Sequence, residues 1–147
     1  DTSRVIATDS GYMESLAPGQ EFGIGGSLFP LIDVPIAQIE VQVLDGSFVE
    51  SEPVAGFTAE NVAYVPGDFM SEVTGMILNP FTSEITNLRV NALAFDEAGQ
   101  IIGGGFTFLD FIPAQGSSPV SVSITSAAAP ATVQLYTSVS SLSDFSE

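Results

Sequence analysis

The sequence predicts an all-β chain, an antiparallel sandwich or barrel, and three observations carry that prediction. Short runs alternate apolar and polar residues with a period of two. Turn-forming Pro, Gly, Asn and Asp separate those runs at roughly 8–12 residue spacing, as in sandwiches and barrels. Helix signals are scarce throughout.

The elements follow in chain order. "EFGIGGSLF" (21–29) and "AQIEVQV" (37–43) read as strands. In the second, Ala37, Ile39, Val41 and Val43 form one face, Gln38, Glu40 and Gln42 the other, and Asp45-Gly46 supplies a turn. "ENVAYV" (60–65) and "FMSEVTGMILNP" (69–80) are the next strands, the latter stopped at Asn79-Pro80.

Residues 85–108 read as a hairpin. Leu88, Val90, Ala92 and Ala94 alternate with Arg89, Asn91, Leu93 and Phe95, and Asp96-Glu97-Ala98-Gly99 makes the turn. The return strand is expected to carry Ile102, Phe106 and Phe108 on one face, with Gly103-Gly104-Gly105 leaving room for a bulge or close packing. A Pro/Gly turn then leads into "VSVSIT" (120–125). There Val120, Val122 and Ile124 point one way, and Ser121, Ser123 and Thr125 the other. "ATVQLYTSV" (131–139) closes the series, with Ala131, Val133, Leu135 and Val139 inward.

Two domain-level units are expected: an N-terminal β segment over 1–56 and a full β-sandwich over 57–147. Residues 11–27 echo 107–123, and 37–43 echo 131–137, so the first unit is a candidate half-repeat. A rival alignment pairs 25–46 with 74–99, and the absence of any real repeat stays open beside both.

Charge excludes whole classes of partner. The 147 residues hold 18 acids against Arg4 and Arg89, with no lysine and no histidine, for a net charge of −16. Such a field repels phosphate backbones and anionic lipid, so neither nucleic acid nor membrane insertion is expected. Charged residues make up only 14% of the chain, well below the ~25% usual in soluble domains. Serine and threonine cover the surface instead, which reads as extracellular. Cysteine is absent, so disulfide and thiolate chemistry are excluded. No basic stretch precedes an apolar run, so the start at Asp1 reads as that of a mature or trimmed product.

The run from Gly75 to Thr125 resembles the FxLYD family of bacterial and archaeal immunoglobulin-like domains. The pieces that carry the resemblance are "GMILN" (75–79), "ALAFD" (92–96), "DEAGQIIG" (96–103) and "IPAQG" (112–116). Ala92, Ala94 and Phe95 stand where Phe, Leu and Tyr are expected, while Asp96 and Gly99 hold the turn. The resemblance implies an immunoglobulin-like antiparallel β-sandwich and a secreted or envelope-anchored location in a bacterium or archaeon. It implies no catalytic or binding residue.

Without His, Cys or Lys, the usual nucleophile–base pairs and zinc or copper sites cannot be built. Asp96-Glu97, Glu50 with Glu52, and Asp110 could in principle serve glycoside hydrolysis. A sandwich this small offers little wall for a cleft, and solvated turn carboxylates are the expectation. Calcium is the one metal that Asp33, Asp45, Glu50, Glu52, Asp68, Asp96, Glu97 and Asp110 could take, yet no calcium-loop pattern links them. No metal and no cofactor are expected. Tyr12, Tyr64 and Tyr136 are candidates for stacking on sugar, although tryptophan, the usual companion, is missing.

The expected role is therefore non-catalytic: a structural module outside the cell or on its surface. It would act by self-assembly into filaments or by packing on neighbouring domains through strand edges that no lysine guards. The alternative is a monomeric binding module for glycan or peptide. Residues 1–46 offer about three strands with no opposing sheet, so that segment must be completed from residues 57–147 or from another copy.

Overall fold

The computed structural model describes residues 5–11, 13, 16, 21–26, 35–44, 46–47 and 56–139, and the backbone of 144–146. The described residues are all-β. The strands are β1 (Thr58–Val65), β2 (Ser71–Leu78), β3 (Glu84–Phe95), β4 (Ile101–Ile112), β5 (Ser117–Ser126), β6 (Thr132–Ser138) and the short β7 (Asp144–Ser146). Six of them run in the order β1-β2-β5-β4-β3-β6, all neighbours antiparallel, and β7 pairs with β3 beyond the end of β6. The sheet curls until its two ends face each other, so it is nearly closed and barrel-like. The all-β, antiparallel part of the expectation is met, while the strands form one curled sheet and the expected sandwich is not shown.

The core follows from side-chain parity. Val120, Val122 and Ile124 of β5 are buried while Ser121 and Ser123 are exposed. Leu88, Val90, Ala92 and Ala94 of β3 are fully buried, and Val73 and Ile77 of β2 join them. Burying each of the larger aliphatics contributes about 1.5–3 kcal/mol. Leu135 of β6 reaches across to β2, where a Cβ on Gly75 would stand 2.8 Å from its Cδ1. That glycine lets the two ends of the sheet approach.

Turn chemistry fixes the register. Asp96 Oδ1 accepts the N–H of Ala98 at 2.9 Å and of Gln100 at 2.8 Å. Gly99 takes a φ of 75°, which glycine adopts without penalty. At the other end of the hairpin, Asn79 is buried and fastens two turns together. Its Nδ2 donates to Ser83 O and Pro113 O, its Oδ1 accepts Phe81 N, and its own N–H donates to Gly116 O.

Four expectations need correction. Phe106 and Phe108 do not share a face with Ile102. The pairing Ala94↔Gly103 followed by Phe95↔Ile101 leaves one extra residue in β4, and this bulge reverses the parity. Ile102 packs on the core, whereas Phe106 and Phe108 pair with Asn91 and Arg89 on the outer face. Ala131 is exposed rather than inward, because it lies ahead of β6 and donates its N–H to Phe95 O. The run 37–43 forms no strand. Every residue from 35 to 44 is exposed and has no ladder partner, although its alternation is intact. The described part of the first expected strand, 21–26, also lacks a ladder.

Candidate functional site: two sheet ends and an N-terminal arm

Residues 22–26 lie against the outer face of β3, β4 and β6. The contact is made by backbone, and the glycines are its cause. A Cβ on Gly23 would stand 2.6 Å from Leu93 Cδ1 and from Tyr136 Cε2, and one on Gly25 would stand 2.0 Å from Gly105 O. Only a chain without side chains at those positions fits. The N–H of Gly25 donates to Asn91 Oδ1 at 3.3 Å, and Gly25 O accepts from Arg89 Nη2 at 3.1 Å. Arg89 Nε also donates to Asn91 Oδ1, at 3.1 Å, and the guanidinium lies 4.1 Å from the centre of the Phe106 ring. Phe22 meets Tyr136 edge-to-face with centroids 6.3 Å apart.

Asn91 is thus fully buried although it points away from the core. Its Nδ2 has no hydrogen-bond partner among the described residues. Alternation places Asn91 with Arg89, Leu93 and Phe95 on the face opposite Leu88, Val90, Ala92 and Ala94, and does not reveal it as an anchor. The available signal was the spacing of Gly23 and Gly25 in "EFGIGG", which offers one small-sided edge to a flat surface.

The carboxylates do not converge. Asp33, Asp45, Glu50 and Glu52 lie outside the described residues, as does Tyr12. Asp96 is engaged by its own turn, and among the described residues no three acids approach closely enough to hold a metal ion. Tyr64 shares a 2.8 Å hydrogen bond with Ser71 on the neighbouring strand. Tyr136 donates to Gln134, and Phe22 covers its ring edge. Burial and, secondarily, the Glu21 carboxylate raise the Tyr136 phenol above its ordinary value. The two tyrosines sit on different strands, β1 and β6, and form no shared stacking platform.

The glycine run serves packing. Cβ atoms on Gly103 and Gly105 would meet Thr125 O at 2.3 Å and Ser123 O at 2.1 Å. Here β5 crosses β4 at backbone distance, which is the close packing the run allowed for.

The two ends of the sheet remain. Among the described residues, β1 pairs only with β2, and β6 pairs only with β3. Between them lies a depression lined by Val62, Tyr64, Pro130, Ala131, Thr132 and Val133. None of those side chains is charged. β1 is bent by a bulge between Glu60 and Ala63, with Asn61 at a φ of 54°. No helix of the described residues is long and apolar enough to cross a membrane. The chain matches no family model, no curated protein and no solved structure.

Proposed function

We propose that this chain is a non-catalytic structural module of the cell surface or extracellular space that works by assembling with copies of itself through its sheet ends. The observation that carries the reading is the state of those ends. Across β1 and β6 the only charged residue is Glu60, and no lysine guards either strand. On their outer sides β1 and β6 have no ladder partner among the described residues; such an edge presents a row of N–H and C=O groups, which soluble proteins ordinarily protect with charge. A pair of unprotected rows is suited to strand addition. The net charge of −16 opposes contact between copies, so assembly is governed by ionic strength.

The immunoglobulin-like character of the domain and its bacterial or archaeal surface location belong to the same proposal. They rest on the resemblance over residues 75–125 and on the Ser/Thr-covered strands. The glycan-binding alternative is less well supported, because Tyr136 is occupied by Phe22.

Static light scattering from about 10 mM to about 1 M salt tests the proposal, since the screening length falls from ~30 Å to ~3 Å over that range. Particle mass that climbs with salt supports assembly. Monomer mass at every salt and at high protein concentration overturns it.

A further inference from the structure

We propose that residues 36–44 of one copy are the strand that fills the gap between β1 and β6 of the next copy. The inference rests on the assembly reading above and names its donor and its acceptor.

The donor is defined by what it lacks. Residues 36–44 alternate as a half-buried strand must, with Ala37, Ile39, Val41 and Val43 on one side and Gln38, Glu40 and Gln42 on the other. Yet Ile39 is 77% exposed, Val41 81% and Val43 90%. A contiguous exposed apolar row of this kind marks a surface for a partner. Among the described residues nothing provides that cover: residues 22–26 are docked on β3, β4 and β6, while 35–44 are exposed at every position. Fully extended, nine residues span about 30 Å. That matches the eight residues of β1 and the seven of β6.

The acceptor is defined in the same way. β1 and β6 face each other without a backbone ladder, so separating them breaks no main-chain hydrogen bond. Val62 and Tyr64 on one side and Val133 on the other present apolar surface to the gap. An incoming strand would direct Ile39, Val41 and Val43 toward them and leave Gln38, Glu40 and Gln42 in water.

Charge explains why these two surfaces meet and others do not. In a chain at −16, a contact between copies must use surfaces with little charge. The donor carries only Glu40, and the lining of the gap carries none. Because the donor and the gap are different surfaces, the contact is head-to-tail, which generates open chains unless the rotation closes a ring.

The test uses two full-length chains, one carrying Gln42→Cys and the other Thr132→Cys, distinguished by a size tag. Both positions are exposed and uncharged, and the natural chain has no cysteine. A short bismaleimide is added at low and high salt, with Glu97→Cys in the β3–β4 turn replacing Thr132→Cys as the control. Donation predicts a hetero-dimer yield at high salt at least about tenfold above the control, because pairing holds the two thiols at high effective concentration. It also predicts that Val41→Asp, which lies outside the core, abolishes the rise in mass while leaving the melting temperature unchanged. If mass rises with salt but the cross-link stays at control level, donation is wrong and assembly uses another surface. If mass never rises, both proposals fail. Cross-linking within one chain that carries both cysteines, at a dilution where mass is monomeric, would mean that the gap is filled by the chain's own segment and would also overturn donation.

Discussion

The N–H of Gly25 donates to the side-chain oxygen of Asn91, a residue 66 positions later and fully buried. This bond ties the N-terminal arm to the outer face of the sheet and makes residues 22–26 part of the folded body. Asn91→Ala removes the acceptor for both Gly25 and Arg89. The expected loss is about 1–3 kcal/mol, the penalty for leaving buried donors unsatisfied. Chemical denaturation measures the loss, and amide exchange at Gly23 to Gly25 shows whether the arm detaches. Full protection of those amides in the variant would mean that the glycine packing alone holds them.

Val122→Asp and Ser121→Asp separate the two faces of β5. Val122 is fully buried, so the new carboxylate must be desolvated without a partner, at several kcal/mol. Ser121 is exposed and donates to Glu72 Oε2 at 2.8 Å. A carboxylate there faces Glu72 and lowers stability by about 1 kcal/mol or less. Equal losses in the two variants would mean that the Ser face is covered as well.

Gly105 and Gly99 differ in kind. A Cβ at Gly105 would stand 2.1 Å from Ser123 O, a backbone atom that can yield only by moving β5. Gly105→Ala is expected to destabilise by about 1–3 kcal/mol or more. Gly99 has open space around it and needs only a positive φ, so Gly99→Asn is expected to stay within about 1 kcal/mol of the natural chain. Thermal melts of the two variants check the order.

Much of the fold can be read from the residues. The inward residues of "VSVSIT" and the Leu88-to-Ala94 face follow from parity alone, and the Asp96–Gly99 turn follows from its chemistry. The burial of Asn91 and Leu93 on the opposite face of β3 does not, because their cover arrives from residues 22–26. The outward turn of Phe106 depends on a single extra residue near Ile102, and alternation cannot count a bulge in advance. Residues 37–43 show the limit most clearly. Alternation describes which side of a strand will be apolar, while the strand itself requires a neighbour's N–H and C=O groups, and those are not local information. Unguarded strand edges are expected from the absence of lysine, but their identity as β1 and β6 is not, because which strands lie outermost is a property of pairing order.

Tyr136 gives a pH-dependent prediction. Its phenol is raised above 10.0 by burial and then by Glu21. The folded state therefore holds the proton more tightly than the unfolded state. Stability is unaffected below the ordinary tyrosine value and falls as pH rises from there through the raised value. In an ultraviolet titration the Tyr136 phenolate is expected to appear above the ordinary tyrosine value, and Glu21→Gln is expected to bring it part of the way back. A titration unchanged by Glu21→Gln would remove the electrostatic contribution and leave burial alone.

Amide hydrogen exchange at residues 38–43 tests strand donation most directly. At about 10 mM salt the copies repel one another, and these amides should exchange as fast as an unstructured chain. At about 1 M salt, as particle mass grows, alternate amides in the run should become protected, along with those on the free sides of β1 or β6. Fast exchange at 38–43 in particles that have grown, or protection already present in the monomer at low salt, would contradict the donation of this strand between copies.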